Sequence, residues 1–132
     1  VRMGDPETEV VIPRIKSDFL NLLKGIKDGT FSEKDLEINE DVASTVMLVS
    51  KGYPEKYEKG FEITGFNDCE DSIIFHAGAK NKNGSVVTNG GRVMTITSFG
   101  QNMDLALAKS YKNAEKINFK GKTFRKDIGF DL

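Results

Sequence analysis

At 132 residues the chain is sized for one ordinary domain with a single buried core. Its 19 Lys and Arg against 20 Asp and Glu leave a formal charge of −1, which excludes a surface built to neutralise nucleic-acid phosphates. One cysteine, Cys69, excludes an intrachain disulfide and a cysteine-rich zinc site, and no apolar run is long enough to span a membrane, so the chain reads as cytoplasmic.

Asp5 followed by Pro6 marks a helix start, with aspartate capping the first amides and proline at the first helical position. Glu7 and Glu9 then lie where negative charge suits the helix dipole. Pro13 kinks or restarts this helix. Ile12, Ile15, Phe19, Leu22, Leu23 and Ile26 recur at three-to-four-residue spacing, which predicts an amphipathic helix with that face buried. Lys24, Lys27 and Gly29 supply its stop, and "TFSEKDLEI" reads as a connector with a short helical turn.

From there the period changes. "VASTVMLVS" over 42–50 reads as a well-buried strand, "KGYPEKYEKG" as a turn or loop, and "FEITGF" as a short strand. "SIIFHAGA" is another strand, and the Asn-Gly of "KNKNGS" signals a hairpin. "VVTNGGRVMTITSF" predicts two strand segments broken at Asn89-Gly90-Gly91. Asn102 then caps a helix carrying Leu105, Ala108, Tyr111, Ala114 and Ile117, with Lys109, Lys112 and Lys116 toward its C-terminal end. The order predicts an α+β domain, an antiparallel sheet flanked by an N-terminal and a C-terminal helix.

Three stretches could carry chemistry. In "RMGDPE", Arg2 offers a fork of donors beside Gly4 and a helix start, the makings of an anion site, although Asp5 and Glu7 carry the wrong sign; a capped helix with a surface arginine explains the same residues. In "TNGGRV", Gly90 and Gly91 permit positive φ or close approach next to Arg92, and a bend in a sheet explains them equally. In "KGYP", Lys51 and Gly52 precede Tyr53-Pro54 in what is otherwise an ordinary turn. His76 stands alone in strand context, and neither a phosphate-loop glycine pattern nor metal-ligand spacing occurs.

Taken together, "RMGDPETEVVIPRIKSD", "KGYPEKYEKGFEITGF", "IFHAG", "VVTNGGRVMTITSFG" and "FRKDIGF" resemble, in order, the phosphoribosylamine–glycine ligase family of ATP-grasp ligases. The resemblance covers essentially the whole chain. Met3 departs from a commoner Phe or Leu, and Ala79 from a frequent threonine. The resemblance implies a ligase that joins glycine to 5-phosphoribosylamine through an acyl phosphate, with ATP and magnesium or manganese. It further implies that the Glu and Asn holding the metal precede Val1. Residues 1–12 would then be the end of the ATP-grasp active-site strand and the start of a helix, and 13–132 the C-terminal domain. Its partners would be the ATP-grasp and N-terminal domains, with neither nucleic acid nor membrane involved. No metal or nucleotide is expected on this part alone.

On that resemblance Arg2 is the catalytic candidate, compensating charge on a moving phosphoryl group. Gly4, Asp5, Pro6 and Glu7 are candidates to hold a substrate phosphate, carboxylate or amine. Lys51, Gly52 and Tyr53, with Asn89, Gly90, Gly91 and Arg92, are candidates to close over the sugar phosphate. The alternative is a non-catalytic docking or lid domain supporting the ATP-grasp body.

Overall fold

The structure is a computed structural model that describes residues 3–130. In chain order it contains α1 (Glu7–Val11), α2 (Phe19–Asp28), β1 (Val42–Ser50), β2 (Ser72–His76), β3 (Ala79–Lys82), β4 (Ser85–Thr88), β5 (Arg92–Gly100), α3 (Met103–Lys116) and β6 (Lys122–Thr123). β2, β5, β1 and β6 form an antiparallel sheet in that order, and β3 and β4 form a separate hairpin through Asn83-Gly84. This is the α+β architecture expected.

β1 alternates along its length: Ser44, Val46, Leu48 and Ser50 are buried, while Thr45, Met47 and Val49 are only partly covered. The buried side meets α3, and Val46, Leu48, Met94, Ile96, Ala114 and Ile117 are fully enclosed there. Burying each of the larger apolar side chains contributes about 1.5–3 kcal/mol. The same interface carries a polar seam. Ser110 shares hydroxyl bonds with Ser44 and Ser98 (both 2.9 Å), Ser98 with Ser72 (2.6 Å), and Asn113 Nδ2 donates to Ser72 (2.7 Å). The seam explains why the buried face of α3 differs from the expected one. Ala106, Ser110, Asn113 and Ala114 are inside and Leu105 is exposed, because small polar residues match the serines of the sheet.

Three other expectations are corrected. The N-terminal periodicity does not produce one helix: α1 is five residues long, Ile12–Arg14 form a 3-10 turn, and Asp18 caps α2 by accepting from Asn21 N (2.8 Å). Of the face expected to be buried, Leu22 alone is enclosed within α2, whereas Leu23 and Ile26 are 47% and 61% exposed. Asp5 does not cap α1; Pro6 occupies the cap position without a side-chain bond. "FEITGF" is not a strand, because its backbone changes partner within a few residues. Ile63 N bonds Val86 O (2.8 Å) and Thr64 N bonds Asn118 O (2.9 Å), so only isolated bridges form.

One irregularity in the sheet positions the site. β1 and β5 stay in register from Val42↔Gly100 to Leu48↔Met94, and then a bulge sets Val49 opposite Arg92. Continuous register would have set Ser50 opposite Arg92, on the α3 side. Directly paired residues share a face, so the extra residue re-aims Arg92 to the other side of the sheet, where α1 lies. There Thr97 Oγ1 donates to Glu9 O (2.8 Å) and shares a hydroxyl bond with Thr45 (2.7 Å).

Candidate functional site

The three turns singled out in the sequence meet on that face. Arg92 Nη1 donates to the carbonyl of Asp5 (2.8 Å), and its Nη2 lies 3.3 Å from Asp5 Oδ2. The contact joins residues 87 apart in the chain and leaves both side chains partly open to solvent. Asp5 thus faces an arginine, which removes the difficulty of its negative charge. The rest of the turn is closed locally: Thr8 N bonds Gly4 O (3.0 Å), the Thr8 hydroxyl donates to the same oxygen, and Glu9 N bonds Pro6 O (3.1 Å). Glu7 lies over Gly4, where a Cβ would fall 2.1 Å from its Oε2.

Close approach, rather than positive φ, accounts for the paired glycines. A Cβ on Gly91 would fall 2.0 Å from the Tyr53 ring, so the ring lies directly on the Gly91 backbone. Ser50 ties the turn from below, its N–H to Gly91 O (2.8 Å) and its hydroxyl to Gly90 O (3.0 Å). Gly90 packs against Gly78, whose Cβ would sit 2.7 Å from Gly90 Cα and 2.3 Å from Arg92 O. Gly78 N donates to Arg92 O and Asn89 N to Gly78 O, both at 2.7 Å. Gly52 does need its conformation: its φ is +96°, and a Cβ would meet Lys56 O at 2.1 Å.

Pro6, next to Asp5 in the chain, lines a mainly apolar cleft of about 660 Å³ with Thr45, Met47, Val49, Tyr53, Phe124 and Arg125. Pro6 and Tyr53 bring two of the sequence motifs to one cavity. Lys51 does not join them. Its N–H bonds Gly121 O (2.8 Å), and it borders a separate hollow of about 240 Å³ with Lys120 and Glu58. The Asn89 side chain is exposed, and its backbone braces the turn. Arg2 lies outside the described residues. Ser50 and Gly78 are structural members of this site that composition and spacing did not single out; Gly78 ends "IFHAG", which was the available signal.

Among the described residues no three His, Cys, Asp or Glu side chains converge into a metal-holding group. The described residues do not fit a resident metal. Burial pushes the Cys69 thiol up from its ordinary range, with Lys116 partly offsetting it, as its Sγ lies 3.7 Å from Gly65 O and Asn113 O. Among the described residues, no helix is long and apolar enough to cross a membrane.

The geometry defines an α+β domain in which an arginine–aspartate pair ties two turns together and Pro6 and Tyr53 line an open cleft. The chain belongs to the phosphoribosylglycinamide synthetase C-domain family, which matches residues 43–131. It is 44% identical over 129 residues to the phosphoribosylamine–glycine ligase of Clostridium acetobutylicum, covering 98% of this chain and 31% of that protein. It is 43% identical over 132 residues to a trifunctional purine biosynthetic protein of Bos taurus, of which it covers 13%. The crystal structure of phosphoribosylamine–glycine ligase from Thermotoga maritima superposes with a TM-score of 0.84 at 42% identity, covering 96% of this chain and 31% of that one. The chain therefore spans under a third of the length of these relatives.

Proposed function

We propose that this chain works as the C-terminal part of an ATP-dependent ligase that joins glycine to 5-phosphoribosylamine, yielding glycinamide ribonucleotide, ADP and phosphate in purine biosynthesis in the cytoplasm. In this reading ATP, with magnesium or manganese, is held by ATP-grasp and N-terminal portions beyond this sequence and supplies the activation of the glycine carboxyl group. The chain's own residues shape the wall on which phosphoribosylamine lies. The observation that carries the reading is the Arg92–Asp5 contact, which ties the Gly4–Glu7 turn to the Asn89–Arg92 turn.

Each candidate then has a defined task. Arg92 spends two nitrogens on Asp5 and has guanidinium N–H groups left for a phosphate oxygen, a charge-assisted bond. Asp5, held by Arg92, keeps carboxylate acceptor capacity for the substrate amine, whose lone pair must reach the activated carbonyl. Pro6 and Tyr53 form the apolar side of the cleft, against which the ribose can lie. Gly90 and Gly91 leave the backbone uncovered at that edge, and Arg2 is assigned to the phosphoryl oxygens.

The test is Arg92→Ala in the complete ligase. Loss of a charge-assisted phosphate contact should raise KM for phosphoribosylamine about 10- to 100-fold while leaving those for ATP and glycine unchanged. A lowered Tm with all three constants intact would reassign Arg92 to structure alone.

A further inference from the structure

Residues 15–39 form an arm that leaves and rejoins the domain at one place. Ile15 pairs with Ile38, Lys16 N bonds Glu37 O (2.8 Å), and Asn39 N bonds Arg14 O (2.7 Å), a two-stranded base. Ser17 Oγ locks it, donating to Asp35 O and accepting from Glu37 N, both at 2.7 Å. Beyond the base the chain is tied only to itself. Gly29, at φ +69°, ends α2, Thr30 and Phe31 N–H groups return to Gly25 O, and Ser32 and Asp35 make a capping box. Among the described residues, every hydrogen bond and ion pair of 16–38 is made inside 14–39.

This self-contained arm is apolar where a free surface should not be. It holds seven of the thirteen large apolar side chains exposed among the described residues, in about a fifth of the chain: Phe19, Leu20, Leu23, Ile26, Phe31, Leu36 and Ile38. At 100° per residue, Phe19, Leu20, Leu23 and Ile26 fall on one face of α2, which Lys27 also borders, while Asn21 and Asp28 fall opposite. Such a stripe is built to be covered, and nothing in the sheet domain covers it.

We infer that the arm is a docking element whose apolar face packs on the remaining two-thirds or more of the ligase polypeptide. The inference rests on the ligase reading above. Two observations choose this occupant. Alignments to relatives over three times longer take in 96–98% of this chain, arm included, whereas the C-domain family match begins only at residue 43. The arm is thus shared with whole ligases yet lies outside the domain on which it is mounted. The arm's seven exposed apolar residues are also few beside the roughly 20–30 residues a side of a stable complex between separate chains. It suits a contact within one polypeptide, where the covalent link supplies effective concentration.

The test compares the complete ligase with the 132-residue chain, both with Cys69→Ser and either Leu20→Cys or Asn21→Cys, by the rate of maleimide labelling. The Leu20→Cys thiol should label at least about tenfold more slowly in the ligase than in the chain, and the Asn21→Cys thiol equally in both. Amide exchange of Leu22–Ile26 in the unsubstituted proteins should slow in the same direction. Equal labelling of Leu20→Cys in both proteins overturns the inference. So does protection already present in the chain and lost on dilution, which would put a second copy there. Ligase activity, assayed on the same Cys69→Ser protein, separates the two claims: an inactive enzyme with Leu20 protected fails the ligase reading and keeps the docking one.

Discussion

The sheet domain and the arm use the same residue types in opposite ways. In β1, β5 and α3 the apolar residues face one another, and Val46, Leu48, Met94 and Ile96 are wholly enclosed. In α2 an equally regular apolar stripe faces outward, with Leu20 and Ile26 each 61% exposed. Periodicity reports that a face is meant to be covered and is silent on what covers it. The first region is completed within this chain; the second is completed, in our reading, by another part of the ligase.

The sharpest way to break this contrast is a matched pair of truncations in the 132-residue chain, followed by urea denaturation. Leu48→Ala should cost about 2–5 kcal/mol, since a cavity opens in a closed core. Leu20→Ala should cost under about 0.5 kcal/mol, as an exposed substitution. Comparable losses at both positions would erase the distinction.

The glycine turns give the next largest effects. Gly78→Ala drives a methyl group into backbone, 2.3 Å from Arg92 O, and should cost about 1–3 kcal/mol. The three atoms nearest a Gly91→Ala methyl all belong to the Tyr53 ring, so Tyr53→Ala should relieve most of its penalty while leaving that of Gly78→Ala untouched. Thermal melts of the three single and two double variants check this. Ser110→Ala, which leaves Ser44 and Ser98 short of a hydroxyl partner, should cost about 1–2 kcal/mol by the same measurement.

The smallest effect lies at the C-terminal end. Arg125 Nε and Nη2 hold Asp127 Oδ1 and Oδ2 at 2.8 and 2.9 Å, and these bonds keep its carboxyl below the usual carboxylate range. A depressed carboxylate stabilises the folded chain above its unfolded pKa, and that contribution is lost as pH falls through the folded value. Because the pair is exposed, the stability change should be slight and salt-sensitive. An NMR titration should place the Asp127 midpoint below that of an ordinary aspartate, and Arg125→Ala should raise it.

Much of the sheet domain was legible from local chemistry. The β-branched run of β1, the Asn-Gly of the β3–β4 hairpin and the Asn102 cap of α3 each act over a few residues, and each appears where expected. What was not legible depends on distant partners. "FEITGF" has strand composition, but its backbone bonds are divided between β4 and the exit of α3. The α3 face could not be assigned without the serines it meets on β1 and β5. For the site, the motifs marked the turns and could not show their contacts: the Arg92–Asp5 pair depends on a one-residue bulge after Leu48 that no spacing announces. Lys51, adjacent to Gly52 and Tyr53 in sequence, borders a different hollow.

In the ligase reading proposed above, Arg92 and Asp5 act as one unit joining two turns at the phosphoribosylamine site. A double-mutant cycle in the complete ligase tests it most directly, with Arg92→Ala, Asp5→Asn and the pair compared in kcat/KM for phosphoribosylamine. Coupled groups should give a double variant little worse than the worse single, with an interaction term of about 1 kcal/mol or more. Penalties that simply add would contradict the account.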